Sequence, residues 1–147
     1  MRRRMRSSVL AIAAVMLVGG ACDSGTGRLT AAQERRFKAE RVVRRADDVA
    51  FRYTRDPGGR SQSWEDRRAS VILTDSTLFI HKNEKVGLEI TLRSRREMGV
   101  ARSGERVRIR SGRGKSEEIW SFVPPADAGG WTTDIRGFMR RMSNPPK

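Results

Sequence analysis

Cysteine and histidine are nearly absent: the 147 residues hold one of each, Cys22 and His81. One Cys excludes an intramolecular disulfide framework and a thiolate-rich zinc site. One His excludes every two-histidine metal site and leaves a single imidazole for acid–base work. Aromatic residues make up 6%, and acidic charge is short as well, 17 Asp+Glu against 31 Lys+Arg, a formal net charge of +14. Lysine is scarce too, since 26 of the 31 basic residues are arginine. Mean hydropathy is −0.62, which excludes a multi-span membrane protein. Hydrophobic runs are correspondingly short, and the clearest of them is Val9 to Val18.

That run has particular flanks. Arg2, Arg3, Arg4 and Arg6 precede it without an acid, and Gly19, Gly20, Ala21 and then Cys22 follow. A basic start, an apolar stretch of about ten residues and a small-residue exit describe a secretory signal, and the stretch falls short of the ~20 residues a spanning helix needs. The segment LVGGAC resembles the lipobox of bacterial lipoprotein signal peptides, with Gly20 and Ala21 in pattern and Gly19 where Leu is usual. The resemblance covers residues 1–22. It implies cleavage before Cys22, lipidation of its thiol, and an exported protein held at the cell envelope, on either the inner or the outer membrane. Acylation also disposes of an otherwise unpaired exported thiol.

Removing residues 1–21 leaves 27 basic and 17 acidic residues, a charge of +10. Such a surface suits anionic lipid or polysaccharide, and export makes nucleic acid an unexpected partner. The arginine skew is also what a GC-rich coding sequence produces, so charge without a dedicated ligand stays open. Residues 22–29 read as a Gly-rich tether. Residues 30–46 read as a basic helix, capped by Thr30 and supported by Glu34/Lys38 and Glu40/Arg44 at i, i+4 spacing. Ala32, Ala39, Val43 and Ala46 form its thin apolar face, from which Phe37 points away, so the helix is expected to be solvated and packed only lightly on the domain.

From residue 47 the pattern becomes a small β domain. Val49, Phe51 and Tyr53 alternate with polar residues in a first strand, Asp56-Pro57-Gly58-Gly59 is a turn, and a loop runs on to Asp66. Further strands are expected at 68–73, 77–82, 86–92, 98–102, 106–110 and 118–123. After Pro124-Pro125, residues Trp131, Ile135, Phe138, Met139 and Met142 make one apolar stripe on a helix. Seven antiparallel strands closed by one amphipathic helix, with VILTDSTLFIHK and EEIWSFVPP in place, resemble the pleckstrin-homology-like superfold over about residues 48–142. That resemblance implies a bent sandwich or barrel, mainly β with α+β character. A calycin-like sandwich, or an α+β fold that integrates the first helix, also fits the pattern.

Chemistry is sparse. His81 ends a strand with no nucleophile signature near it and reads as a strand histidine. Asp47-Asp48 and Glu117-Glu118 are strand neighbours that point to opposite faces. Ser111-Gly112-Arg113-Gly114 lacks the context of a phosphate loop and reads as a hairpin turn. The arginines are more informative, because Arg106, Arg108 and Arg110 share one strand face. Arg93, Arg95, Arg96, Arg102 and Arg113 flank it, and pairing is expected to gather all eight into one anion-binding patch. The pleckstrin-homology resemblance implies a second basic group around the first hairpin, at Arg52, Arg55, Arg60, Arg67 and Arg68. Trp64, in the loop after the first strand, is either an exposed contact or a cap on the open barrel. These features together predict a non-enzymatic, cofactor-free, lipid-anchored binding domain for a protein partner or an anionic surface group. The alternative is an assembly accessory that meets an envelope complex through Trp64 and a sheet edge.

Overall fold

In the computed structural model, which describes residues 27–55, 60, 62–82 and 87–144, the chain runs α1 (Ala31–Ala39), β1 (Val42–Arg55), β2 (Gln62–Thr74), β3 (Thr77–His81), β4 (Gly87–Thr91), β5 (Met98–Ser103), β6 (Arg106–Ser111), β7 (Glu118–Val123) and α2 (Ala128–Ser143). The signal-like segment, Cys22 and most of the tether lie outside the described residues. So do the turns at 56–59 and 83–85, residue 86, and the side chains of Trp64 and Arg67.

All seven strands join one antiparallel sheet in the order β4-β3-β2-β1-β7-β6-β5. β1 is the centre of it, pairing with β2 along its length and with β7 through its second half. A register shift lies between Ala46 and Val49, where Asp48 takes a left-handed φ of 54°. An extra residue of this kind bends and twists a strand, and the sheet curls into a half-barrel. The concave side holds the main core, built from Phe51, Tyr53, Val71, Leu78, Ile80, Ile90, Ile109, Trp120 and Phe122 among others.

α2 closes this half-barrel as the stripe predicts. Trp131, Ile135 and Phe138 are buried, Met139 and Met142 pack against the same cluster, and Trp131 meets Phe122 edge-on at 5.2 Å. The helix begins three residues earlier than the stripe, because Asp127 caps it by accepting from the Gly130 N–H at 2.8 Å. Arg44 of β1 donates to Asp127 at 2.9 Å and to Asp134 at 2.7 Å, which fastens the helix to the central strand.

The first helix corrects the expectation in two ways. It stops at Ala39 rather than at residue 46, with Glu40 already extended, and Val42–Ala46 opens β1 instead. The β-branched pair Val42-Val43 favours strand, and pairing with the end of β2 outweighs the i, i+4 charge pattern. Glu40 accordingly bonds Arg36, Thr74 and Ser76 rather than Arg44. The buried face is also different. Phe37 is 2% exposed and packs at a tilt against Phe79, ring centroids 5.0 Å apart, whereas Ala39 is exposed. One phenyl ring offers far more apolar area than two methyl groups, so it decides which side docks. Phe37, Ile72 and Phe79 form a second core on the convex side of β2–β3. This explains why 69–74 and 77–80 are buried without a break: both faces of these strands are covered. Gln33 completes the capping box with Thr30.

The chain enters the domain on the same convex side. The Gly27 carbonyl accepts from the Ser70 hydroxyl at 2.7 Å, and Ser70 alternates with core-facing Ala69 and Val71. Gly27 has φ +67° and lies so close to the Arg68 carbonyl that no side chain fits there.

Ion pairs at both helices link stability to pH. Hydrogen bonds from Arg45 hold the Glu34 carboxyl below its ordinary 4.5. Burial pushes Glu40 up, but Thr74, Arg36 and Ser76 together leave it lowered. The Gly130 N–H, and then Arg44, lower Asp127. Carboxyls lowered in the folded state contribute stability above their unfolded values, and that contribution is lost as pH falls through the folded ones. Melting temperature is therefore expected to decline as pH falls below about 4.5. Arg45→Gln should flatten the decline in circular-dichroism melts run between neutral and acidic pH. An unchanged acid limb in that variant would remove the Arg45–Glu34 pair from this account.

Candidate functional site

The burial of β6 alternates residue by residue. Val107 and Ile109 are fully buried, Arg108 and Arg110 are exposed, and Arg106 is half-buried. This period places the three arginines on the convex side, as expected from the sequence. Pairing extends the row across the sheet, with Arg108 opposite Ser121, Ser121 opposite Arg52, and Arg52 opposite Glu65. Glu65 accepts from Arg52 at 2.9 Å and stands 3.8 Å from Arg106, and Glu117 stands 3.7 Å from Arg110. Arg108 has no ion pair among the described residues. Exposed pairs such as these contribute ~0–1 kcal/mol each, so the face stays basic and its side chains stay adjustable.

The remaining arginines do not join this face. Arg95, Arg96 and Arg113 surround a separate open cavity of about 570 Å³ together with Arg55. This cavity lies at one end of the concave side, where Arg55, Glu118, Ser111 and Met98 are in register across four strands. Arg113 pairs with Glu97, Arg96 stands 3.8 Å from Glu118, and the Tyr53 hydroxyl donates to Glu118 at 2.8 Å. Burial, and then the Glu118 carboxylate, pushes the Tyr53 phenol up to about 12, so it remains a donor. The Gly112 N–H donates to the Glu97 carbonyl at 3.0 Å and ties the two connections of this mouth together. One residue row below, Trp120 lies 4.3 Å from Tyr53 ring to ring. Its indole N–H is buried and has no hydrogen-bond partner among the described residues.

The eight-arginine patch is thus divided. Arg102 pairs with Val107, on the opposite parity from Arg108, and lies against Gly129 at the start of α2. Arg93 is exposed in the connection between β4 and β5. The reason is the twofold alternation of strands: a cluster in sequence separates onto two faces once its members differ in parity. The same rule splits the first-hairpin group, sending Arg52 to the convex side and Arg55 to the mouth, while Arg60 and Arg68 are exposed. Trp64 belongs to β2, paired with Tyr53, rather than to a loop; its side chain lies outside the described residues. The Tyr53–Glu118–Arg96 chain was not anticipated, although Tyr53/Arg55 and Glu118/Trp120 sit at i, i+2 on two strands that each alternate visibly.

The lone imidazole, His81, stacks on Phe79 at 5.9 Å on the convex side. Glu117 and Glu118 do point apart, one toward Arg110 and the other toward Tyr53. Asp47 accepts from Arg45 and stands 2.8 Å from the Ser70 hydroxyl, competing with the Gly27 carbonyl for its one proton, while Asp48 occupies the bulge. No helix among the described residues is long and apolar enough to cross a membrane, which leaves β-barrel spanning unaddressed. No protein-family model matches the chain, and no curated protein is significantly similar to it.

Proposed function

We propose that this is a lipid-anchored envelope protein whose pleckstrin-homology-like domain is a binding module, not an enzyme, and meets an anionic surface through its convex face. The strand order, with a C-terminal helix across the concave side, supports the superfold reading. The observation that carries the function is directional. Arg52, Arg106, Arg108 and Arg110 occupy the same convex side on which Gly27 enters the domain. Gly27 is five residues after Cys22, a reach of at most ~18 Å at ~3.6 Å per residue. Acyl chains on Cys22 would hold the domain beside the headgroups, and a basic face within a Debye length of an anionic bilayer adds ~1 kcal/mol per arginine.

Two readouts test this. Intact mass spectrometry of the membrane-extracted protein should find a chain beginning at Cys22 and carrying acyl mass; an unmodified full-length chain would sink the anchor. A chain starting at Asp23 lacks any acyl group, so its binding to vesicles containing anionic lipid reports the face alone. Arg106→Glu, Arg108→Glu and Arg110→Glu together should weaken that binding ~100-fold at low salt. Unchanged binding there would remove the convex face from the function.

A further inference from the structure

We infer that the free edge of β5 is a docking site for an extended acidic segment of a partner protein, which adds to the sheet as an eighth strand. β5 ends the sheet, so one side of its backbone has no strand partner among the described residues. Its sequence, MGVARS, carries no proline, and its one charged residue, Arg102, is basic and lies against Gly129 at the start of α2, so the charge on this edge is of the sign that repels a basic strand and accepts an acidic one. The opposite edge differs, because Glu89 of β4 is tied to α1 by Arg36 at 2.6 Å.

Both flanks of the β5 edge are basic. On the convex flank, Gly99 and Ala101 are small, and a Cβ built on Gly99 would stand 3.6 Å from Arg110 Nε, so this guanidinium lies over the edge strand. A cavity of about 370 Å³ runs beside it, lined by Arg108, Arg110 and Glu117; Glu117 stands 3.7 Å from Arg110, which leaves Arg108 as the cation without an ion pair there among the described residues. On the concave flank, Met98 and Val100 border α2, and a second cavity of about 300 Å³ carries Arg136 and Arg140. Neither of these two has an ion pair among the described residues.

An added strand directs successive side chains to alternate faces. Acidic residues on one face would meet Arg108 and Arg110, and those on the other would meet Arg136 and Arg140. Main-chain hydrogen bonds would supply affinity and the flanks would select charge, the usual division in strand addition. A second copy of this chain would bring its own arginines against the same flanks, so the charge favours a different, acidic occupant. This inference goes beyond the anchored-surface reading and does not rest on it.

The test uses the full chain in detergent and a capped peptide of alternating Glu and Val as the probe. Binding at low salt is expected, with slowed hydrogen exchange of the β5 amides. Methylating alternate backbone nitrogens of the peptide should weaken binding ~10–100-fold, because strand addition needs those donors. Arg136→Glu with Arg140→Glu should weaken it ~10-fold, while vesicle binding by the convex face stays unchanged. The inference is overturned if the probe does not bind, if the methylated or a Lys-Val peptide binds equally, or if the β5 amides exchange as before. Lost vesicle binding with intact peptide binding would sink the surface reading alone.

Discussion

Trp131→Ala is expected to destabilise the domain by ~3–5 kcal/mol, the range for removing a buried large aromatic. Trp131 is 3% exposed, sits in the first turn of α2 and packs edge-on against Phe122 in the main core. A domain of this size has only ~5–15 kcal/mol in total, so the loss is a large share of it. With ~3–4 °C per kcal/mol, the melting temperature should fall by roughly 10–20 °C. The loosened helix should also admit a hydrophobic dye to the concave side. Trp131→Phe keeps a ring at the site and should cost clearly less. A shift of less than ~1 kcal/mol in the alanine variant would mean that α2 does not close the half-barrel.

The second large effect is expected at Phe37, the one buried residue of α1. Phe37→Ala removes a ring that is 2% exposed and packed against Phe79 and Ile72, again for ~3–5 kcal/mol. A nine-residue helix is not stable in isolation, so the change should undock α1 before it unfolds the sheet. Hydrogen exchange measured by mass spectrometry should show residues 31–39 exchanging freely while β1 and β2 stay protected. Ala39→Glu is the useful counterpart. It places a charge on the face that the small-residue pattern nominates as buried, yet Ala39 is exposed, so the substitution should be within ~0.5 kcal/mol of neutral. If Ala39→Glu released the helix and Phe37→Ala did not, the docking described above would be reversed.

These two helices mark how far the sequence could be read. The α2 stripe was legible because five apolar residues recur at helical spacing on one side, a pattern that only one burial satisfies. α1 was not, since its apolar content is small alanines and one ring, and the outcome depends on what the sheet presents to it. Ile72 and Phe79 present an apolar patch on the convex side, but a run buried on both faces has no alternation from which that patch can be read. The helix end at Ala39 has a similar cause. Arg44 and Arg45 look like the last turn of a basic helix; instead Arg44 binds Asp134 and Asp127 across the fold, and Arg45 binds Glu34 of α1 and its strand neighbour Asp47.

The basic residues divide in the same way. Local alternation by itself determined that Arg106, Arg108 and Arg110 share a face and that seven strands precede a core-seeking helix, because side-chain direction within a strand follows from covalent geometry; the length of the first two, 14 and 13 residues, was not legible there. Which other arginines accompany them was decided only in three dimensions. Pairing order brings Arg52 to the convex row, carries Arg55 to the mouth with Arg95, Arg96 and Arg113, and leaves β5 at an edge between Arg110 and α2. Strand neighbours and register are non-local quantities, set by the bulge at Asp48 and by burial of the whole core, and no window of the chain contains them.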